Sequence, residues 1–164
     1  MVVTSGKKWD MVHMFRGHAY RSLDAKGRLM LPPEFRNTVL EHDAQGGIML
    51  TNFDGCVAAY PKPEWLEIEN SFSKANLVNR SIRNFQRFFI AGAMEVTLDK
   101  QGRILIPPHL RNYAKLDSDV VLAGVGRKFE IWDQNRFSGQ MEETEEQFDQ
   151  IMDELSGTGF ELYL

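Results

Sequence analysis

Residues 17–37 and 92–112 are two versions of one segment, offset by 75 positions. Gly17, Leu23, Asp24, Gly27, Arg28, Pro32, Pro33, Arg36 and Asn37 recur as Gly92, Leu98, Asp99, Gly102, Arg103, Pro107, Pro108, Arg111 and Asn112, with Ser22/Thr97 and Leu31/Ile106 as conservative pairs. An internal repeat constrains a fold more than any local pattern, because two similar units have similar apolar faces to bury. A unit of about 45 residues buries too little apolar surface to stand alone, so the two copies are expected to pair around one core.

Each copy reads as the same succession of elements. Val96 and Leu98, then Ile104 and Ile106, alternate at the period of a strand, and the intervening Asp-x-x-Gly is a turn in which glycine can take a positive φ; a β-hairpin is expected. The Pro-Pro pair ends the second strand and suits the first turn of a helix, expected over 34–40 in one copy and 109–116 in the other. Further strands follow at 48–52 and 56–60 around Asp54-Gly55, and at 120–125 and 129–132 around Gly126-Arg127. Residues 63–90 form a helical linker. Within it Trp65, Leu66, Ile68, Phe72, Ile82, Phe85, Phe88 and Phe89 recur at helical spacings on two helices broken near 74–79. A long acidic helix is expected from residue 135 into the tail, with Phe137, Met141, Phe148, Ile151, Met152 and Leu155 as its apolar positions. The organisation is thus a first repeat at 14–62, the linker, a second repeat at 91–134 and a C-terminal segment at 135–164.

The formal charge of −4 is unevenly distributed. All 19 lysines and arginines lie at or before Arg136, and eight carboxylates follow it, leaving +4 on residues 1–136 and −8 beyond. The sum therefore does not exclude nucleic acid, which is bound by a local basic face. The apolar runs, such as 120–123 and 88–91, are far shorter than the roughly 20 residues that cross a bilayer, and no secretory h-region is present, so a cytoplasmic location is expected. Cys56, the single cysteine, allows neither an intrachain disulfide nor a multi-thiolate metal site and is expected as a small buried hydrophobe. His13, His18, His42 and His109 lack metal-ligand spacing. Gly46-Gly47 and Gly124-Val125-Gly126 open no helix and are not phosphate loops, and no serine stands in a nucleophile elbow. The reading is of a non-enzyme with no cofactor and no small-molecule substrate.

The doubled Asp-x-x-Gly-Arg, the opening Met14-Phe15-Arg16-Gly17, Tyr60-Pro61-Lys62-Pro63-Glu64-Trp65 and Phe129-Glu130-Ile131-Trp132-Asp133 together resemble the MraZ family, bacterial regulators at the head of the division and cell-wall gene cluster. The resemblance spans nearly all of 14–155. It implies an α+β chain, mainly β with flanking helices, built as a double swapped-hairpin barrel of the SpoVT/AbrB type with a pseudo-twofold internal repeat. It also implies ring-shaped homo-oligomers on double-stranded DNA, binding direct repeats in the promoter of their own operon and repressing it, in association with the nucleoid. Members usually begin at the equivalent of Met14, so residues 1–13 are expected to be an extension without fixed structure.

The first copy offers Arg16, Arg21, Lys26, Arg28 and Arg36 against Asp24 and Glu34, a local balance of +3, and is the better basic window. Asp24 could pair with Arg28, and Asp99 with Arg103, simply to fix each turn; the arginines could equally read a guanine edge through two parallel hydrogen bonds. Asp24, Gly27, Asp99 and Gly102 are accordingly assigned to the turns. The resemblance implies that the arginine of the first motif contacts DNA. Arg28 is therefore the leading candidate, supported by Lys26, Arg16 and Arg21, with Arg103 and Lys100 as the weaker second set. Two rival readings are an oligomeric protein-interaction scaffold, with the acidic C-terminal helix docking a basic partner, and an antitoxin-like DNA-binding protein.

Overall fold

A computed structural model describes residues 14–164, so the expectation for residues 1–13 lies outside the described part. The chain forms two compact units, one ending at Asp133 and one spanning Gln134–Leu164.

In the first unit each copy contributes two strands, a helix and two more strands. The first copy supplies β1 (Phe15–Ser22), β2 (Arg28–Met30), α1 (Pro33–His42), β3 (Gly47–Phe53) and β4 (Cys56–Pro61). The linker forms α2 (Lys62–Phe72) and α3 (Arg80–Phe89). The second copy supplies β5 (Met94–Thr97), β6 (Arg103–Leu105), α4 (Pro108–Ala114), β7 (Asp119–Gly126) and β8 (Phe129–Asp133). Pro33 and Pro108 occupy the first helical position, where a missing N–H costs nothing. Asp54 and Gly55 both have positive φ, 53° and 81°, the backbone of the tight turn that their dipeptide favours between paired strands.

Strand pairing exchanges partners between the copies. The six-stranded sheet has the order β1-β7-β8-β4-β3-β5, with every neighbouring pair antiparallel. β1 of the first copy runs along β7 of the second, from Phe15 opposite Gly126 to Ser22 opposite Asp119, and β5 of the second runs along β3 of the first. β2 and β6 pair only with each other, in a separate two-stranded ribbon. The expected local hairpins are thus reduced to their turns, closed by the N–H of Asp24 bonding to the carbonyl of Arg28 and that of Asp99 to Arg103. Beyond those bonds the arms separate. The swapped arrangement holds, but the expected closed barrel does not form. The sheet is open, with β1 and β5 at its edges. Pro32 and Pro107 end β2 and β6 shortly after three residues, leaving strands too short, and short of donors, to bridge those edges.

The core explains why the exchange is stable. Leu29, Leu31, Phe35 and Val39 from one copy, and their counterparts Ile104, Ile106, Leu110 and Ala114 from the other, are all buried in one cluster. Phe15, Phe35 and Phe129 meet there with ring centroids 5.1–5.4 Å apart. Truncating any one of these large side chains to alanine is expected to cost about 2–5 kcal/mol. The linker helices pack through a second aromatic group, in which Phe89 meets Trp65 at 5.2 Å and Phe85 at 5.0 Å. The buried Thr51 hydroxyl donates to the Phe89 carbonyl at 2.6 Å, fixing the end of α3. Cys56 is buried, and burial pushes its thiol far above the ordinary range, so it remains a neutral packing group.

The second unit contains α5 (Gln134–Glu146) and α6 (Phe148–Gly157), not the single long helix expected. The break at Gln147 follows Glu142, Glu143, Glu145 and Glu146. Four carboxylates in the last turns of a helix repel one another and oppose its dipole, which favours stopping and restarting. No helix among the described residues is long and apolar enough to cross a membrane.

Candidate nucleic-acid interface

Both Asp-x-x-Gly-Arg segments close by the same chemistry. Asp24 Oδ1 accepts the backbone N–H groups of Lys26 (3.0 Å) and Arg28 (2.9 Å), while Oδ2 takes Arg28 Nε at 2.6 Å. In the second copy Asp99 Oδ1 accepts from Gln101 and Arg103, both at 2.9 Å, and Oδ2 takes Arg103 Nε at 2.8 Å. The Arg28 N–H is the main influence holding the Asp24 carboxyl below its usual range, and that of Arg103 acts in the same way on Asp99. Gly27 and Gly102 complete the turns at φ 85° and 81°, where a side chain would be strained.

Pairing and availability of the arginines therefore coexist. The aspartate holds each guanidinium by Nε alone, and among the described residues neither Nη of Arg28 or Arg103 has a hydrogen-bond partner. The side chains are 35% and 27% exposed. Two parallel Nη–H donors on a fixed stem are what bidentate recognition of a base edge or phosphate requires.

The ribbon brings the two arginines together. Arg28 lies opposite Leu105 and Met30 opposite Arg103, so the arginines are diagonal neighbours, about 7–8 Å apart by the geometry of paired strands. Leu29 and Ile104, at the centre of the register, point into the core, which leaves Arg28, Met30, Arg103 and Leu105 on the outer face. Reciprocal bonds lengthen the ribbon: Ile106 N–H donates to the Gly27 carbonyl at 2.9 Å, and Leu31 N–H to that of Gly102 at 3.0 Å.

Each turn is supported by the opposite copy, and that support involves residues to which sequence reasoning gave no such role. The Arg111 guanidinium covers Gly27, where an added Cβ would come 2.8 Å from Cζ, and Arg111 Nε donates to the Ile106 carbonyl at 3.0 Å. Arg36 covers Gly102, where a Cβ would meet Nη1 at 2.7 Å. Arg36, counted in the basic window of the first copy, thus belongs to the second turn. The available signal was its identity with Arg111 across the repeat.

The other predicted cations divide. Lys26 and Lys100 are exposed on the two turns, at non-equivalent positions. Arg21 is half-buried near the end of β1 that leads into the first turn, and its Nη1 donates to the Tyr20 carbonyl at 2.9 Å. Arg16 lies at the far end of β1, opposite Val125 and about 20 Å from the turn by strand rise, so it is not brought to Arg28. Two carboxylates approach instead. Asp117 shares a shallow cleft with Asp24 and Arg111, and Asp119 pairs in register with Ser22. No group of three or more His, Cys, Asp or Glu placed to hold a metal ion occurs among the described residues.

Comparison with known proteins agrees with this duplicated arrangement. The model of the family described as "MraZ protein, putative antitoxin-like" matches twice in tandem, over residues 14–88 and 89–157. The chain is 56% identical over 150 residues to the "Transcriptional regulator MraZ" of Solidesulfovibrio magneticus, covering 91% of this chain and 99% of the relative. Proteins of the same name from Maridesulfovibrio salexigens and Heliobacterium modesticaldum are 49% and 37% identical, covering 90% and 87% of this chain and 97% and 96% of their own.

Proposed function

The chain belongs to the MraZ family, and from that premise we propose that it is a sequence-specific DNA-binding transcriptional regulator whose contact surface is the outer face of the β2–β6 ribbon with its two turns. The observation that carries the reading is the pair of arginines, each tethered at Nε with both Nη groups unpartnered among the described residues, on the outer face of the ribbon. A two-stranded ribbon fits a major groove about 12 Å wide. Arg28 is the principal reader, with Lys26 and Arg21 beside it, while Arg103 and Lys100 form the second half of the contact. Arg16 touches DNA only if the duplex runs along β1. Asp24, Gly27, Asp99 and Gly102 shape the turns.

Such a small surface neutralises few phosphates and binds weakly at physiological salt. Assembly into a ring on direct repeats makes the later contacts intramolecular, raising affinity roughly 100-fold to 10,000-fold without new interactions. In this reading the protein acts in the cytoplasm, associated with the nucleoid, and represses the operon from whose promoter it is bound. The test is a gel shift of the DNA upstream of its own gene at two salt concentrations, with specific competitor. Preference for that DNA, lost in Arg28→Ala while the oligomer survives, is the expected result. Equal binding by the variant would remove Arg28 from the interface.

A second reading, a protein-interaction scaffold, is favoured by the separate acidic unit from Gln134 onward. Deleting residues 137–164 separates the two. Loss of assembly with retained DNA preference assigns the unit to subunit contacts, whereas tighter DNA binding assigns it to shielding of the basic face.

A further inference from the structure

We propose that Met30 and Leu105 read thymine methyl groups, so that each arginine of the ribbon and the apolar side chain directly across from it, one from each copy, recognise a two-base unit: a guanine taken by the arginine and a neighbouring thymine taken by the apolar side chain. The proposal rests on the DNA-binding reading above and adds the residues that would set its specificity. Met30 is 40% exposed and Leu105 51%, although they flank Leu29 and Ile104, which are almost wholly buried. On the outer face they alternate with arginine in a checkerboard: Arg28 opposite Leu105, and Met30 opposite Arg103. Directly opposed side chains on paired strands have Cβ atoms about 4.5–5.5 Å apart, so an arginine and its apolar partner can reach adjacent base pairs in one groove.

The alternative occupant of two exposed apolar side chains is a protein surface. A stable protein interface buries about 800 Å² on each partner, far more than one Met and one Leu provide, and here each stands opposite an arginine in a ribbon whose two turns carry the exposed Lys26 and Lys100. A cationic rim around an isolated apolar spot instead matches the major-groove edge of a G·C pair beside a T·A pair, where acceptors and a methyl group lie side by side. The same ribbon presents this element twice, related by its pseudo-twofold, once through Leu105 and once through Met30.

The test starts with wild-type protein and a random-sequence duplex library, from which the preferred site is selected. Each thymine of that site is then replaced by deoxyuridine, which keeps base pairing and removes only the methyl. Replacement at one or two thymines beside a guanine is expected to weaken binding about three- to five-fold, the worth of one buried methyl group. Met30→Gln or Leu105→Gln should each lose the sensitivity at one of those positions while keeping the guanine preference. A wild-type protein indifferent to deoxyuridine at every position overturns the proposal, and this measurement does not depend on the folding of any variant. Loss of assembly in either glutamine variant, with methyl sensitivity unchanged, also overturns it, because these side chains would then be subunit contacts. Failure of the DNA reading itself is distinct: the library would yield no preferred sequence at all.

Discussion

The two Asp-x-x-Gly-Arg turns differ far more along the chain than in space. Along the chain the first is enclosed by five cations and two carboxylates, and the second copy has Ala91 and Val96 where the first has Arg16 and Arg21. In three dimensions Arg16 is remote, Arg36 has crossed to the second turn, and Asp117 and Asp119 have come to the first. What remains of the asymmetry is small and local: Lys26 against Gln101, Ala25 against Lys100, and Arg21 against Val96. A run of charge in sequence measures a basic surface only when its residues share a face, and an exchanged fold divides such runs.

The largest test of this comparison is removal of each arginine in turn. Arg28→Ala is expected to weaken binding to the preferred duplex about 10- to 100-fold per contact, the loss of one bidentate guanine pair, and Arg103→Ala by less, measured by fluorescence anisotropy. Equal losses would make the ribbon functionally twofold and end the primacy of the first copy. Next come the glycines. Gly27→Ala must adopt φ 85° and displace Arg111, which is tethered to the Ile106 carbonyl, whereas Gly102→Ala displaces Arg36, which has no such tether among the described residues. Both should be destabilised, by roughly 1–2 kcal/mol, with Gly27→Ala the worse in thermal unfolding. The reverse order would show that the Arg111 tether does not restrain the turn.

A smaller effect is expected from making the turns alike. Lys26→Gln should reduce the slope of log affinity against log salt by about 0.9 if Lys26 meets a phosphate, and Gln101→Lys should raise it by a similar amount. An unchanged slope would take Lys26 out of the interface. The smallest concerns acid. The carboxyls of Asp24 and Asp99 are held below their ordinary range in the folded state, so their stabilising contribution is complete above the unfolded value of about 4 and is lost as pH falls through the folded value. Asp24→Asn and Asp99→Asn should each flatten the decline of melting temperature below pH 4, and to the same degree. A difference between them would restore an asymmetry that the matched geometry does not contain.

Much of this was legible from residue order because it is encoded locally. The Asp-x-x-Gly-Arg closure, the prolines that start α1 and α4, the Asp54-Gly55 turn and the break between α2 and α3 depend on residues a few positions apart, and all are found near the expected places. The partners of β1, β2, β5 and β6 were not legible, since alternation identifies a strand without naming the strand beside it. The outer face of the ribbon was only partly legible: the alternation of Ile104 and Ile106 places Leu105 on the opposite face, but only the register sets Leu105 across from Arg28 and Met30 across from Arg103.

The exchange of partners also sets a timetable for synthesis. β1 emerges from the ribosome about 100 residues before β7, so at roughly 5–20 residues per second it waits some 5–20 seconds for the strand that covers it. During that interval the nascent chain carries an unpaired edge and half of a core. A chain terminated after α3 would keep that half permanently, and its most favourable course would be to complete the core with a second truncated chain.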